Sequence, residues 1–168
     1  IGPEVCNPVK KIINFLNNFT NIEFSIEEEL VGGCSYDEHK LPITEKVISK
    51  AKASDGVLLG AVGAPKYENL PFDLRPERGL LKLRKELELY ANIRPAKVFN
   101  SLADASSLKP DIVKNMDIVV LRELTGGIYF GEPRGIFDLV DGQKKGINTE
   151  VYTTNEIVRL GRIGFEIA

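Results

Sequence analysis

The sequence predicts a mixed α/β fold with an appended β-hairpin arm, on three observations. Apolar residues near the start recur at three- and four-residue steps, the period of an amphipathic helix. A short apolar run bounded by glycines, Gly56-Val57-Leu58-Leu59-Gly60, has the composition of a buried parallel strand. Helix-like and strand-like segments alternate along the first half, before a tail punctuated by glycines. Of the 168 residues, 43% are hydrophobic and 27% charged, an ordinary globular composition. The net charge is −2 with no long basic run, so a nucleic-acid partner has no electrostatic support. The apolar stretches are a few residues long, too short for a membrane-spanning helix. Cys6 and Cys34 lie far apart without metal-type spacing and read as neutral thiols in a reducing, cytoplasmic setting. Ile1-Gly2-Pro3-Glu4 is not a basic n-region leading into an apolar core, so no signal peptide is expected. The missing initiator Met, and a last helix that runs to the chain end without a stop signal, lead us to expect a fragment.

Val5, Val9, Ile12, Ile13, Leu16 and Phe19 define the first helix, opened by Pro3. Ile22, Phe24 and Ile26 alternate with polar residues, which predicts a strand. Gly32-Gly33 breaks the pattern, and Thr44 is placed to cap a helix carrying Val47, Ile48 and Ala51. After the apolar run comes a long loop from Ala61 to Pro76, and a loop of that length in a compact domain is usually functional. A helix is expected from about Gly79 to Leu89, and strands at Lys97-Val98-Phe99 and from Asp117 to Leu121. Phe137 to Val140, the turn Asp141-Gly142, and Gly146 to Tyr152 read as the hairpin arm. A last helix starts near Thr154, with Ile157, Leu160, Gly161, Gly164, Phe165 and Ala168 on one stripe.

The helical segment from Glu77 to Tyr90 carries the most chemistry. Glu77, Leu80, Leu81 and Arg84 share one face, while Leu83, Leu87 and Tyr90 form the core stripe and Lys82, Lys85, Glu86 and Glu88 are left for solvent. The first face suits a ligand with an apolar branch beside an anionic group; it reads equally as an Arg84–Glu88 surface pair with leucines extending the core. Arg94, held extended by Pro95, is a second candidate. Arg122 ends the run Ile118-Val119-Val120-Leu121, which reads as a strand buried on both faces. A guanidinium there needs a partner, either Glu123 or a ligand at the carboxyl end of the strand. Three arginines near apolar anchors suggest an acidic substrate, because a guanidinium binds a carboxylate through two parallel hydrogen bonds. Tyr129, between Gly126-Gly127 and Gly131, is either an aimed acid or a core or interface tyrosine. His39, the single histidine, sits among Asp37, Glu38 and Lys40 and reads as a solvated loop residue. Neither GxGxxG, GxxxxGK[ST] nor G-x-S-x-G occurs, and no His/Cys cluster offers a zinc site.

Several long segments together resemble the isocitrate/isopropylmalate dehydrogenase superfamily, and within it the 3-isopropylmalate dehydrogenases. They are Asp55-Gly56-Val57-Leu58-Leu59-Gly60-Ala61-Val62-Gly63-Ala64-Pro65-Lys66, Arg75-Pro76-Glu77-Arg78-Gly79-Leu80-Leu81-Lys82-Leu83-Arg84-Lys85, Ala91-Asn92-Ile93-Arg94-Pro95, and Val120 to Arg134. Ile1-Gly2-Pro3-Glu4-Val5 is similar to the end of that family's first glycine-rich turn. The resemblance implies an incomplete α/β fold of that type: half of a first, cofactor-side domain over residues 1–93, and part of a dimerisation domain over 94–168 with its arm at 135–152. It implies NAD-dependent oxidative decarboxylation of 3-isopropylmalate to 4-methyl-2-oxopentanoate in leucine biosynthesis, by a homodimer. Isocitrate, homoisocitrate or tartrate as substrate, or a non-catalytic dimerising fragment, remain the alternatives. By motif, Arg84, Arg94 and Arg122 are expected to hold the substrate carboxylates and hydroxyl, and Leu80 and Leu81 to meet its isopropyl branch. Tyr129 is expected to be the catalytic acid. The segment Ala64-Pro65-Lys66-Tyr67-Glu68-Asn69-Leu70-Pro71-Phe72-Asp73-Leu74-Arg75-Pro76-Glu77 is expected to touch NAD. Mg²⁺ or Mn²⁺ is implied with ligands outside this chain, as are the base lysine and the adenine contacts. Two departures stand out. Ala64 replaces a usual glycine and would resist a positive φ, and Tyr67 stands where the family commonly has Trp.

Overall fold

The computed structural model describes residues 2–168, which form two compact units, residues 2–87 and 88–168. In the first unit, helix α1 spans Gly2–Phe19, α2 Gly33–His39, α3 Glu45–Ala53 and α4 Pro76–Glu86. Thr44 caps α3 as its sequence position suggests: its hydroxyl accepts from the Val47 amide, satisfying a donor that the helix itself leaves unpaired. The core of this unit is Ile43, Val47, Ile48 and Leu83, with Val31, Ala51 and Leu87 packed against it. Leu83 therefore sits on the core stripe and joins α4 to α3, with Leu87 just past the helix end. Leu83→Ala is expected to cost about 2–5 kcal/mol, read as a drop in the urea midpoint of the first unit. Close approach of α4 to the segment before α3 requires Gly79, where a Cβ would lie 2.5 Å from the Pro42 carbonyl oxygen.

Several expectations are corrected in this unit. Ile22 to Ile26 and Gly56 to Gly60 are not strands, and Val57 and Leu58 are 47% and 59% exposed. Both segments carry the right residue types, but a strand exists only where a second one supplies its ladder partners, and among the described residues none does. Helix α4 begins at Pro76 and ends at Glu86, and Glu88 takes a left-handed φ of 51°. Lys82, Lys85 and Glu88 are exposed as expected and Glu86 is half-buried; at this surface Lys82 pairs with Glu45 of α3, and Lys52 of α3 pairs with Glu86 at 2.7 Å.

The second unit is built on two antiparallel ribbons. Strand β1 (Ala91–Lys97) pairs with β2 (Asp117–Glu123), Ala91 opposite Glu123 and Lys97 opposite Asp117. Helix α5 (Pro110–Val113) lies between them in sequence, and Ala103 and Val113 are buried. Strand β3 (Gly135–Asp138) pairs with β4 (Lys144–Ile147) through the turn at Asp141-Gly142; the expected hairpin forms, but its strands lie earlier than Phe137 to Val140 and Gly146 to Tyr152, and residues 148–152 are not strand. Helix α6 (Thr154–Ile167) is opened by a complete capping box between Thr153 and Glu156 and packs on β2, where a Cβ at Gly164 would stand 3.0 Å from Leu121 Cδ1. The strand expected at Lys97 to Phe99 lies earlier, so Arg94 belongs to β1 rather than to a loop. Strand β2 is not buried on both faces: Ile118 and Val120 are about half exposed, because a two-stranded ribbon presents two faces and α6 packs against the other one.

Candidate functional site

Alternation along β1 and β2 decides which side chains can meet. Ala91, Ile93, Leu121 and Glu123 share the face that carries α6, whereas Asn92, Arg94, Ile118, Val120 and Arg122 share the other. In register, Arg122 stands opposite Asn92 and Arg94 opposite Val120. The two arginines are thus diagonal neighbours on one face, about 7–8 Å apart at the backbone. Arg94 Nε donates to Asn92 Oδ1 at 3.0 Å, which turns its guanidinium along the ribbon. Asn92 escaped the sequence reading, although its place two residues before Arg94 in a strand is a signal that could have found it.

Arg122 does not use Glu123, its bland candidate partner; adjacent strand residues face opposite ways. It reaches Tyr129 instead. The Arg122 guanidinium donates to the Tyr129 hydroxyl oxygen and lies 5.3 Å from the ring centroid. Because the phenol accepts this bond, its own proton stays free to be donated. The geometry of the turn between them comes from its glycines. Gly127 has φ 64°, and a Cβ there would lie 2.3 Å from the Tyr152 hydroxyl; at Gly131 it would lie 2.0 Å from the Thr149 carbonyl oxygen. Residues 126–131 therefore fold against the chain returning from the arm, and Gly127 N–H donates to Val151 O at 2.8 Å.

Glu123 braces the same turn from behind. Its carboxylate, 7% exposed, accepts from the Thr125 and Gly126 amides at 2.8 and 2.7 Å, from the Thr125 hydroxyl at 2.5 Å, and from Arg159 of α6 at 3.4 Å. Burial pushes this carboxyl upward, but the bonds from Thr125, Gly126 and Arg159 outweigh it and hold it below the usual carboxylate range. A depressed folded-state pKa contributes stability above the unfolded value and loses it as pH falls through the folded one. Glu123→Gln should therefore destabilise the chain at neutral pH by about 1–3 kcal/mol, a gap that closes in acid. Urea unfolding at neutral and acid pH reads this, and a gap independent of pH would contradict it.

In the first unit, Leu80 and Leu81 of α4 are half-buried, neither sealed in the core nor fully open, and Arg84 is half-buried one turn beyond them. Glu77 stands at the start of α4 with its carboxylate against Gly63: a Cβ at Gly63, whose φ is 103°, would lie 2.7 Å from Glu77 Oε1. The positive φ thus falls on the glycine. Ala64 is extended at φ −160°, a conformation any residue adopts, so the expected strain there does not arise. Two single turns of 3-10 helix, Pro65–Tyr67 and Phe72–Leu74, shape the rest of the loop, with Arg75 Nε donating to Leu70 O at 3.2 Å. Glu68, Asn69, Pro71 and Asp73 are exposed. His39 is exposed as expected, but it is the last residue of α2 rather than part of a loop.

Among the described residues no three His, Cys, Asp or Glu side chains come together in a group that could hold a metal ion. No helix among them is long and apolar enough to cross a membrane.

An arginine pair beside a tyrosine has the hydrogen-bonding chemistry to hold a small organic anion. The family model for isocitrate/isopropylmalate dehydrogenases matches residues 1–168. The chain is 59% identical to 3-isopropylmalate dehydrogenase of Pelagibacter ubique and 54% identical to that of Brucella abortus, in each case over its whole length and over 46% and 45% of theirs. Two solved structures share the fold. Isocitrate dehydrogenase of Methylococcus capsulatus has a TM-score of 0.65 at 22% identity, covering 99% of this chain and 44% of its own. A β-decarboxylating dehydrogenase of Thermococcus kodakarensis has a TM-score of 0.54 at 24% identity, covering 98% and 41%. The chain belongs to the isocitrate/isopropylmalate dehydrogenase family. It spans about half the length of the curated relatives it matches.

Proposed function

We propose that this chain supplies the substrate grip and the proton donor of an NAD-dependent oxidative decarboxylase that converts 3-isopropylmalate to 4-methyl-2-oxopentanoate and carbon dioxide. The observation that carries the reading is the shared face of β1 and β2, with Arg94 and Arg122 as diagonal neighbours and Tyr129 bonded to Arg122. Two guanidinium forks fix a dicarboxylate and leave the carbon between them oriented. When bound, NAD supplies the hydride acceptor for the hydroxyl-bearing carbon. Loss of carbon dioxide from the resulting β-keto acid leaves an enolate, and the Tyr129 hydroxyl delivers its proton to the enolate carbon. Arg122, already donating to that oxygen, stabilises the phenolate left behind.

Leu80 and Leu81 favour an alkyl branch over a carboxylate, and their half-buried state is compatible with meeting one. Arg84 is assigned to the same substrate by its place one turn beyond them on α4. Residues 64–77 are assigned to the cofactor, 1–93 to the cofactor-side domain, and 94–168, with the arm at 135–152, to the dimerisation domain of a homodimer. The base lysine, the aspartates for Mg²⁺ or Mn²⁺ and the adenine contacts are assigned to the length that the relatives have beyond this match. A cytoplasmic place in leucine biosynthesis follows from the same reading.

Two experiments test it. Absorbance at the NADH band should show no metal-dependent turnover of 3-isopropylmalate by the 168-residue chain alone; turnover would refute the division of labour. In the full-length protein kcat/KM should favour 3-isopropylmalate over isocitrate, and the reverse order would refute the substrate.

A further inference from the structure

The long loop from Ala61 to Arg75 is exposed along most of its length, and Tyr67, 8% exposed, is its buried residue. Tyr67 lies on α2. Its ring covers Gly33, where a Cβ would fall 2.2 Å from Cε2, and it meets the Tyr36 ring edge-on at 6.3 Å. The hydroxyl donates to Asp37 Oδ2 at 2.8 Å, and the neighbouring Lys66 ammonium donates to the same oxygen at 2.7 Å while standing 4.6 Å from the Tyr67 ring centroid. One carboxylate oxygen on α2 thus takes two donors from successive loop residues, and the aromatic ring below fixes where they reach it. The far end of the loop meets α4, where Arg78 lies 3.7 Å from the Asp73 carboxylate and 4.7 Å from the Phe72 ring centroid. We propose that Asp37 is a positioning residue which, through Tyr67 and Lys66, docks the loop on α2 and presets the exposed backbone from Glu68 to Asp73 for dinucleotide binding.

The proposal rests on the reading that this loop touches NAD. Phe at position 67 would keep the ring on Gly33 and lose only the hydroxyl donor. Asn at position 37 would keep the shape and lose the charge that draws Lys66. The Asp37 carboxyl is held below its usual range, first by the Lys66 bond and then by the Tyr67 bond. An undocked loop samples other conformations, and the apparent affinity for a ligand falls by the fraction of competent loop. The side chains of Asp37 and Lys66 are more than half exposed, so their loss leaves the core of the unit intact.

The test uses the full-length protein. Hydrogen exchange of amides 66–74 is followed with and without NAD, and steady-state constants are measured for wild type, Asp37→Asn and Tyr67→Phe. The expected result is protection of these amides by NAD in wild type, faster exchange in both variants without NAD, and KM for NAD raised roughly three- to tenfold, with KM for 3-isopropylmalate and the melting temperature unchanged. Protection by NAD in wild type with unaltered exchange and KM in both variants overturns the docking role and leaves the cofactor reading standing. No protection in wild type overturns the cofactor reading and this role with it. An equal rise in both KM values also overturns it, since it marks a general structural defect.

Discussion

Tyr129→Phe in the full-length protein should lower kcat for 3-isopropylmalate by about 10²–10⁴-fold, the usual contribution of a positioned general acid. KM should move little, because the ring stays where Gly127 and Gly131 aim it and only the hydroxyl is lost. The consequence for the products is more specific than the rate. If Tyr129 delivers the proton to the enolate carbon, hydride transfer and loss of carbon dioxide still precede the missing step. Single-turnover NADH formation should then survive better than release of 4-methyl-2-oxopentanoate. Unchanged turnover in Tyr129→Phe would remove the acid role, whatever the arginines do.

Arg94→Ala should be the other severe change. A charge-assisted hydrogen bond contributes about 1.5–3 kcal/mol, and the loss of a bidentate fork should weaken 3-isopropylmalate binding by roughly one to two orders of magnitude or more. The fold should be spared. Arg94 is an exposed residue on a ribbon whose other face carries α6, and it donates to the nearby Asn92. Arg94→Lys should rescue only part of the affinity, because an ammonium keeps the charge and loses the planar fork. Circular dichroism and the unfolding midpoint, compared with ligand titration, separate the two effects. A variant that binds normally would contradict the assignment, and one that unfolds would show that Arg94 is structural.

The parts of this protein that were open to sequence reasoning are those governed by neighbours in the chain. Thr44 announces α3 because a cap acts within three residues, whereas for α6 the sequence reading reaches only a helix start near Thr154 and not the Thr153 cap. Asp141-Gly142 announces the arm for the same reason. What depends on distant partners was hidden. The alternation of Ile22, Phe24 and Ile26 is a strand signal with no second strand to complete it. The ribbon β1 starts at Ala91 rather than Lys97 because pairing with Asp117 to Glu123 selects it, in spite of Pro95 within it. The site divides in the same way. Arg94, Arg122 and Tyr129 stand out one by one from their local settings. Their convergence depends on the β1–β2 register and on a turn folded against residues 149–152, neither of which has a local signature. Asp37 was passed over as part of a solvated charge cluster, since its bonds to Lys66 and Tyr67 span about thirty residues of chain.

A double-mutant cycle on the binding of 3-isopropylmalate addresses the shared face most directly. Titration calorimetry on the full-length protein would compare wild type, Arg94→Gln, Arg122→Gln and the double variant. If both guanidinium groups hold one dianion, each single change should weaken binding by more than 1.5 kcal/mol, and the double variant should depart from additivity by about 0.5 kcal/mol or more. Two single variants that bind as tightly as wild type would show that the neighbouring arginines on β1 and β2 grip something else, or nothing.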